Sequence, residues 1–125
     1  MVVNIDEKGF CEAQKFLERV RSRVVTNEYQ VSSHYKNKDF LEKYKIRDSK
    51  VKEILLALTC TDCISIEPND NPSYPEATVY KFVKTYELDF FGVDSLVDVY
   101  IKMYLLEKQT CDLVMVISIH EDKNY

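Results

Sequence analysis

Apolar positions recur at three- and four-residue steps in the first half of the chain and at two-residue steps in the second. Phe10, Ala13, Leu17, Val20 and Val24 are separated by Glu12, Lys15, Glu18, Arg19 and Arg23. That spacing predicts an amphipathic helix, with Asp6 placed to cap it. The stretch NEYQVSSHYKNK breaks the period, and Tyr29 to Ser32 reads as a short edge strand. Helical spacing returns at Phe40, Leu41 and Tyr44, with His34 opening this stretch as a surface residue. In DSKVKEILLALT, Asp48 is expected to cap a helix whose stripe is Val51, Ile54, Leu55 and Leu58. Thr59 and Asp62 have the spacing of a capping box, so one more short helical turn is expected. EPNDNPSYPEAT holds all three prolines and reads as loop, because proline removes a ladder donor and fixes φ.

From Val79 onward the period is two. Strands are predicted near 79–90, 97–106 and 112–120, joined around FGVDS and EKQT, which implies an antiparallel meander. Helices first and strands second is the pattern of an α+β fold. The expectation is one domain over 1–125, mainly helical through 1–66, with an antiparallel sheet over 79–120 and the N-terminal helices packed on one face of it. Val97, Val99, Ile101, Met103 and Leu105 should face those helices, leaving Asp98, Tyr100, Lys102, Tyr104 and Leu106 on the open face. In the last strand, Leu113, Met115, Ile117 and Ile119 are assigned to the core face, and Val114, Val116, Ser118 and His120 to the open one. Lys81 alternates with Tyr80 and Phe82, which read as core.

Composition narrows the class. A chain of 125 residues that is 46% apolar can bury a core without staples. No apolar run approaches the roughly 18 residues of a membrane span. The opening MVVNIDEKGF lacks the basic-then-apolar order of a secretory signal, so a soluble cytoplasmic protein is expected. The net charge of −4 is unevenly spread: residues 1–60 hold twelve Lys/Arg against nine Asp/Glu, and residues 61–125 hold five against twelve. The first half therefore offers a basic surface, while the acidic total disfavours tight nonspecific binding of nucleic acid. Cys60 and Cys63 form a CxxC, which reads as a redox pair, as half of a zinc site completed by Cys111 and His120, or as small buried side chains. Buried thiols are the expectation, with no metal and no cofactor.

Lys81, Tyr100, Lys102 and His120 are thus predicted to share the open face of the sheet. A metal-independent ribonuclease must deprotonate a 2′-OH, stabilise charge on the phosphate and protonate the departing 5′-oxygen. Histidine moves protons near neutral pH, lysine holds a phosphate by fixed charge, and tyrosine orients, donates a proton or stacks on a base. The bland reading of the same residues is an ordinary polar sheet face.

From Val51 to Glu121 the chain resembles the MqsR family (motility quorum-sensing regulator), toxins of type II toxin–antitoxin systems. The resemblance rests on VKEILLALTCTD, on Tyr80–Phe82 after a Pro/Asn/Asp loop, on VYIKMYLL and on VMVISIHED, with FLEKYKI just upstream. It implies a RelE-like fold, cleavage of mRNA without metal, and neutralisation by a cognate antitoxin. It also implies catalytic roles for Tyr100, His120 and Lys81, while Lys102 is placed on the RNA phosphate by its two-residue spacing from Tyr100 on the same face. A lysine that some members carry after the LTxxD helix is absent near Ser65, so that role is unfilled or moved. ELDFFGVDSL is longer than expected between the first two long strands. A catalytically inactive member acting as a protein-binding module is the alternative reading.

Overall fold

The computed structural model describes residues 6–69, 77–107 and 112–122. Helix α1 (Glu7–Val24) opens as expected, the Asp6 carboxylate accepting from the Gly9 N–H at 2.8 Å. It buries Ala13, Phe16, Leu17, Val20 and Val24. Phe16, outside the predicted stripe, stacks on Tyr80 with ring centroids 3.8 Å apart, while Phe10 stays half-buried. After strand β1 (Tyr29–Val31), helix α2 (Tyr35–Lys43) is capped by His34, whose Nδ1 accepts from the Lys36 N–H. Helix α3 (Asp48–Leu56) starts one residue earlier than predicted. Arg47 holds the cap position without a side-chain bond, and Asp48 lies inside the first turn, where the helix dipole still favours its charge. The turn Cys60–Asp62 is 3₁₀-helical and carries the Thr59/Asp62 capping box that the spacing predicts.

The chain is α+β. Among the described residues, three helices pack against a five-stranded sheet of order β1-β5-β4-β3-β2. Strands β2 (Cys63–Pro68), β3 (Thr78–Phe90), β4 (Val93–Glu107) and β5 (Asp112–Glu121) form an antiparallel meander. The sheet is mixed rather than antiparallel, because β1 pairs in parallel with β5, from Tyr29↔Val114 to Val31↔Val116. A three-residue strand separated from its partner by the rest of the fold takes its direction from docking, which alternation does not encode. Strand β2 begins inside the part expected to be mainly helical. A register shift between Cys63 and Ser65 and the closing proline hide its two-residue period.

One face of the sheet carries Tyr80, Phe82, Leu88, Val97, Val99, Ile101 and Met103 into a single core with the helices. Strand β5 departs from the predicted alternation. Lys102 pairs with Ser118 but Met103 with Val116, so Ile117 is an extra residue, a β-bulge. Beyond it the side chains change faces. Val114 and Val116, expected on the open face, are buried in the core, whereas Leu113, Met115 and Ile117, expected in the core, are half-buried. Ile119 keeps its predicted core position.

Asn37 of α2, itself 1% exposed, explains why the bulge is stable. Its Nδ2 donates to the carbonyls of Ser32 and Ile117, each at 3.0 Å, and its Oδ1 accepts from the Ile119 N–H at 2.9 Å. The side chain thus stands in for a neighbouring strand where β1 has already ended.

Candidate functional site

The open face of the sheet is organised as rungs across the strands. Directly opposed residues share a face and stand about 4.5–5.5 Å apart. One rung reads Val83, Tyr100, His120 and the next reads Ser65, Lys81, Lys102, Ser118. Lys81, Tyr100, Lys102 and His120 therefore gather on two adjacent rungs of one face, two residues apart along the strands. Tyr104 shares this face but is buried, 4% exposed, rather than open.

His120 and Tyr100 form the centre. Their ring centroids lie 5.4 Å apart with planes inclined by 38°. His120 Nδ1 is 2.9 Å from the Glu121 carbonyl oxygen. A carbonyl only accepts, so in the neutral ring this contact places the proton on Nδ1 and leaves Nε2 as the acceptor. The Tyr100 hydroxyl is pushed above its ordinary range, first by burial, with Glu67 and Asp122 adding to the shift and Lys81 opposing it. It stays a protonated donor at neutral pH.

The two lysines differ. Lys81 is bound by Glu67, its ammonium 3.0 and 2.9 Å from the two carboxylate oxygens. Glu67 also accepts a short hydrogen bond from Ser65, and this bond, with Lys81, holds its carboxyl below the ordinary carboxylate range. Lys102, half-buried, forms no ion pair among the described residues. Beside it, past the bulge, lies a depression of about 440 Å³ lined by Gln30, Ser32, Lys102, Tyr104, Met115 and Ile117. Glu67 and the depression were not legible in the sequence. Glu67 sits in the proline-rich stretch that reads as loop, and the depression exists only because the bulge turns Ile117 and Met115 outward.

The thiols lie apart from this face. Cys63 is buried in the core, which pushes its thiol up to about 11, far from a reactive thiolate at neutral pH. Cys60 is half-buried and Cys11 exposed, and Cys111 falls outside the described residues. Among the described residues no group of three or more His, Cys, Asp or Glu is gathered to hold a metal ion. No helix among them is long and apolar enough to cross a membrane.

No protein-family model matches this chain, and neither does any curated protein or solved structure.

Proposed function

We propose that this protein is a metal-independent endoribonuclease of the toxin class, with a RelE-like arrangement of helices on a sheet and its catalytic groups on the open face. The observation that carries this reading is the His120–Tyr100 pair, with the imidazole tautomer fixed by the Glu121 carbonyl and the lysines one rung away. In the reaction, His120 Nε2 takes the proton of a 2′-OH. The 2′-oxygen attacks the adjacent phosphorus, closing a 2′,3′-cyclic phosphate. Lys102 and Lys81 hold the charge that builds on the phosphate. The P–O5′ bond breaks, the leaving oxygen takes the Tyr100 proton, and the proton held on His120 Nε2 returns through water to the tyrosinate. The depression beside Lys102 offers room for a flanking base.

The resemblance to MqsR-type toxins supports the same assignment, and with it a cytoplasmic toxin and a cognate antitoxin as partner. The lysine missing at Ser65 has a neighbour in space, since Lys81 stands opposite Ser65 across the strand pair. The acidic second half of the chain favours the second reading, a catalytically silent module that binds a protein.

Incubation of the purified protein with a long mRNA in EDTA separates the two. Cleavage leaving 2′,3′-cyclic phosphate ends is expected. Intact RNA in the presence of folded protein would instead favour the binding module.

Glu67 competes with phosphate for Lys81. Glu67→Gln is therefore expected to tighten RNA binding about two- to fivefold, the scale of an exposed ion pair. Fluorescence anisotropy with a labelled oligonucleotide measures it, and an unchanged or weakened affinity would remove Lys81 from the phosphate site.

A further inference from the structure

The outer end of the β3–β4 hairpin is a second surface with its own chemistry. Phe91 and Gly92 form a two-residue turn with φ of 52° and 84°, the type I′ geometry that suits a twisted hairpin. What the sequence presents as a long connection is continuous strand, pairing from Tyr86↔Val97 to Phe90↔Val93. The partners of these strands stop short of it, since β2 reaches only Phe82 and the end of β5 only the base, where the Asp122 N–H donates to the Asp98 carbonyl at 2.8 Å. Among the described residues this distal ribbon has neither outer edge in a sheet.

The ribbon is unusually apolar for a position so exposed. Among the described residues six large apolar side chains are exposed, and four of them are here: Phe90, Phe91, Val93 and Leu96. Phe91 is 80% and Leu96 77% exposed. Such concentrations mark interaction surfaces. Between Thr85 and Asp98 the chain has four carboxylates, Glu87, Asp89, Asp94 and Asp98, and no lysine or arginine. Asp89 and Asp94 are directly opposed, a like-charge pairing that costs stability in the free protein. Asp89 accepts from the Gly92 N–H and Asp98 from Thr85, but neither bond supplies a cation. Lys45, Arg47, Lys50, Glu87, Asp89 and Asp94 line one groove of about 400 Å³, and among the described residues no ion pair joins the two sets.

Two open edges, an apolar tip and carboxylates outside any ion pair among the described residues describe a template for strand addition by something positively charged. We propose that the distal ribbon docks an extended cationic segment of a partner protein along β4, whose apolar side chains cover Phe91 and Val93 while its cationic ones lie over the other face, where Leu96 sits among the acids. Lys or Arg at alternate positions of that segment meet Glu87, Asp94 and Asp98. The same carboxylates repel RNA and anionic lipid, and they run outward along the open face from Asp98, which lies one rung beyond Tyr100. This docking does not depend on the nuclease reading.

The test uses two labelled synthetic peptides, one alternating Lys and Val and one alternating Glu and Val, with the full chain in fluorescence anisotropy. The Lys/Val peptide is expected to bind, and to weaken by about tenfold or more in Phe91→Ser/Val93→Thr and in Glu87→Gln/Asp94→Asn. Circular dichroism checks that each variant is folded, and RNA cleavage should not change. Equal binding of both peptides, no binding of either, or undiminished binding by the folded variants overturns the proposal. So does sedimentation showing that the ribbon residues instead join two copies of this chain.

Discussion

His120→Ala is expected to lower RNA cleavage about 100- to 10,000-fold while the protein stays folded. The side chain is half-buried at the end of β5, and its hydrogen bond among the described residues runs to the neighbouring Glu121 carbonyl rather than into the core. Truncation therefore removes the proton acceptor without opening a cavity. Tyr100→Phe keeps the ring against His120 and removes only the donor, so a smaller loss is expected, on the order of tenfold to a hundredfold. Single-turnover cleavage of a defined oligonucleotide in EDTA reads both. If a folded His120→Ala protein cleaves as fast as the parent, the assignment of the open face as a nuclease site is wrong. The Glu67→Gln result is then the useful companion, because it reports on phosphate binding whether or not chemistry follows.

Asn37→Leu is expected to destabilise the fold by about 2–5 kcal/mol, because it strands several backbone groups at once. The replacement is similar in size. It deletes the donor to the Ser32 and Ile117 carbonyls and the acceptor for the Ile119 N–H, all in a site closed to water. Urea denaturation measures the change. Asn37→Asp sharpens the test. It keeps an acceptor for Ile119 but presents a carboxylate to two carbonyl oxygens, so its folded-state pKa should rise above the unfolded value. Its stability is then greatest at acid pH, where the group is protonated in both states, and falls as pH rises through the folded pKa. A midpoint for Asn37→Leu equal to that of the parent would mean that the bulge holds without this clamp. The residue matters to the site as well, since Ile119 and Ile117 flank the turn of phase that decides where His120 points.

The face assignments in β4 were legible because the strand keeps strict alternation over its central residues, and Val97, Val99, Ile101 and Met103 all reach the core. Those of β5 were legible only in part. Its residues are apolar on both faces from Leu113 to Ile117, so nothing in the pattern marks where the period slips. His120 stands on the open face as expected, but only because the bulge compensates for a face assignment of Val114 and Val116 that was inverted. The ribbon misled as well. Strands read over 79–90 and from 97 leave FGVDS as the connection, whereas β4 begins at Val93 and only Phe91 and Gly92 turn.

By itself the sequence determined the three helices with most of their buried positions and the Asp6 cap, the three long strands, the α+β class, and the grouping of Lys81, Tyr100 and Lys102. All of these follow from local periodicity, which side-chain burial enforces residue by residue. Only the tertiary structure decided the parallel docking of β1, the bulge at Ile117, the Asn37 clamp, the pairing of Lys81 with Glu67 and the projecting ribbon. Each of those depends on a backbone group, a charge or an edge being satisfied by a partner distant in sequence, and alternation along one strand carries no record of it.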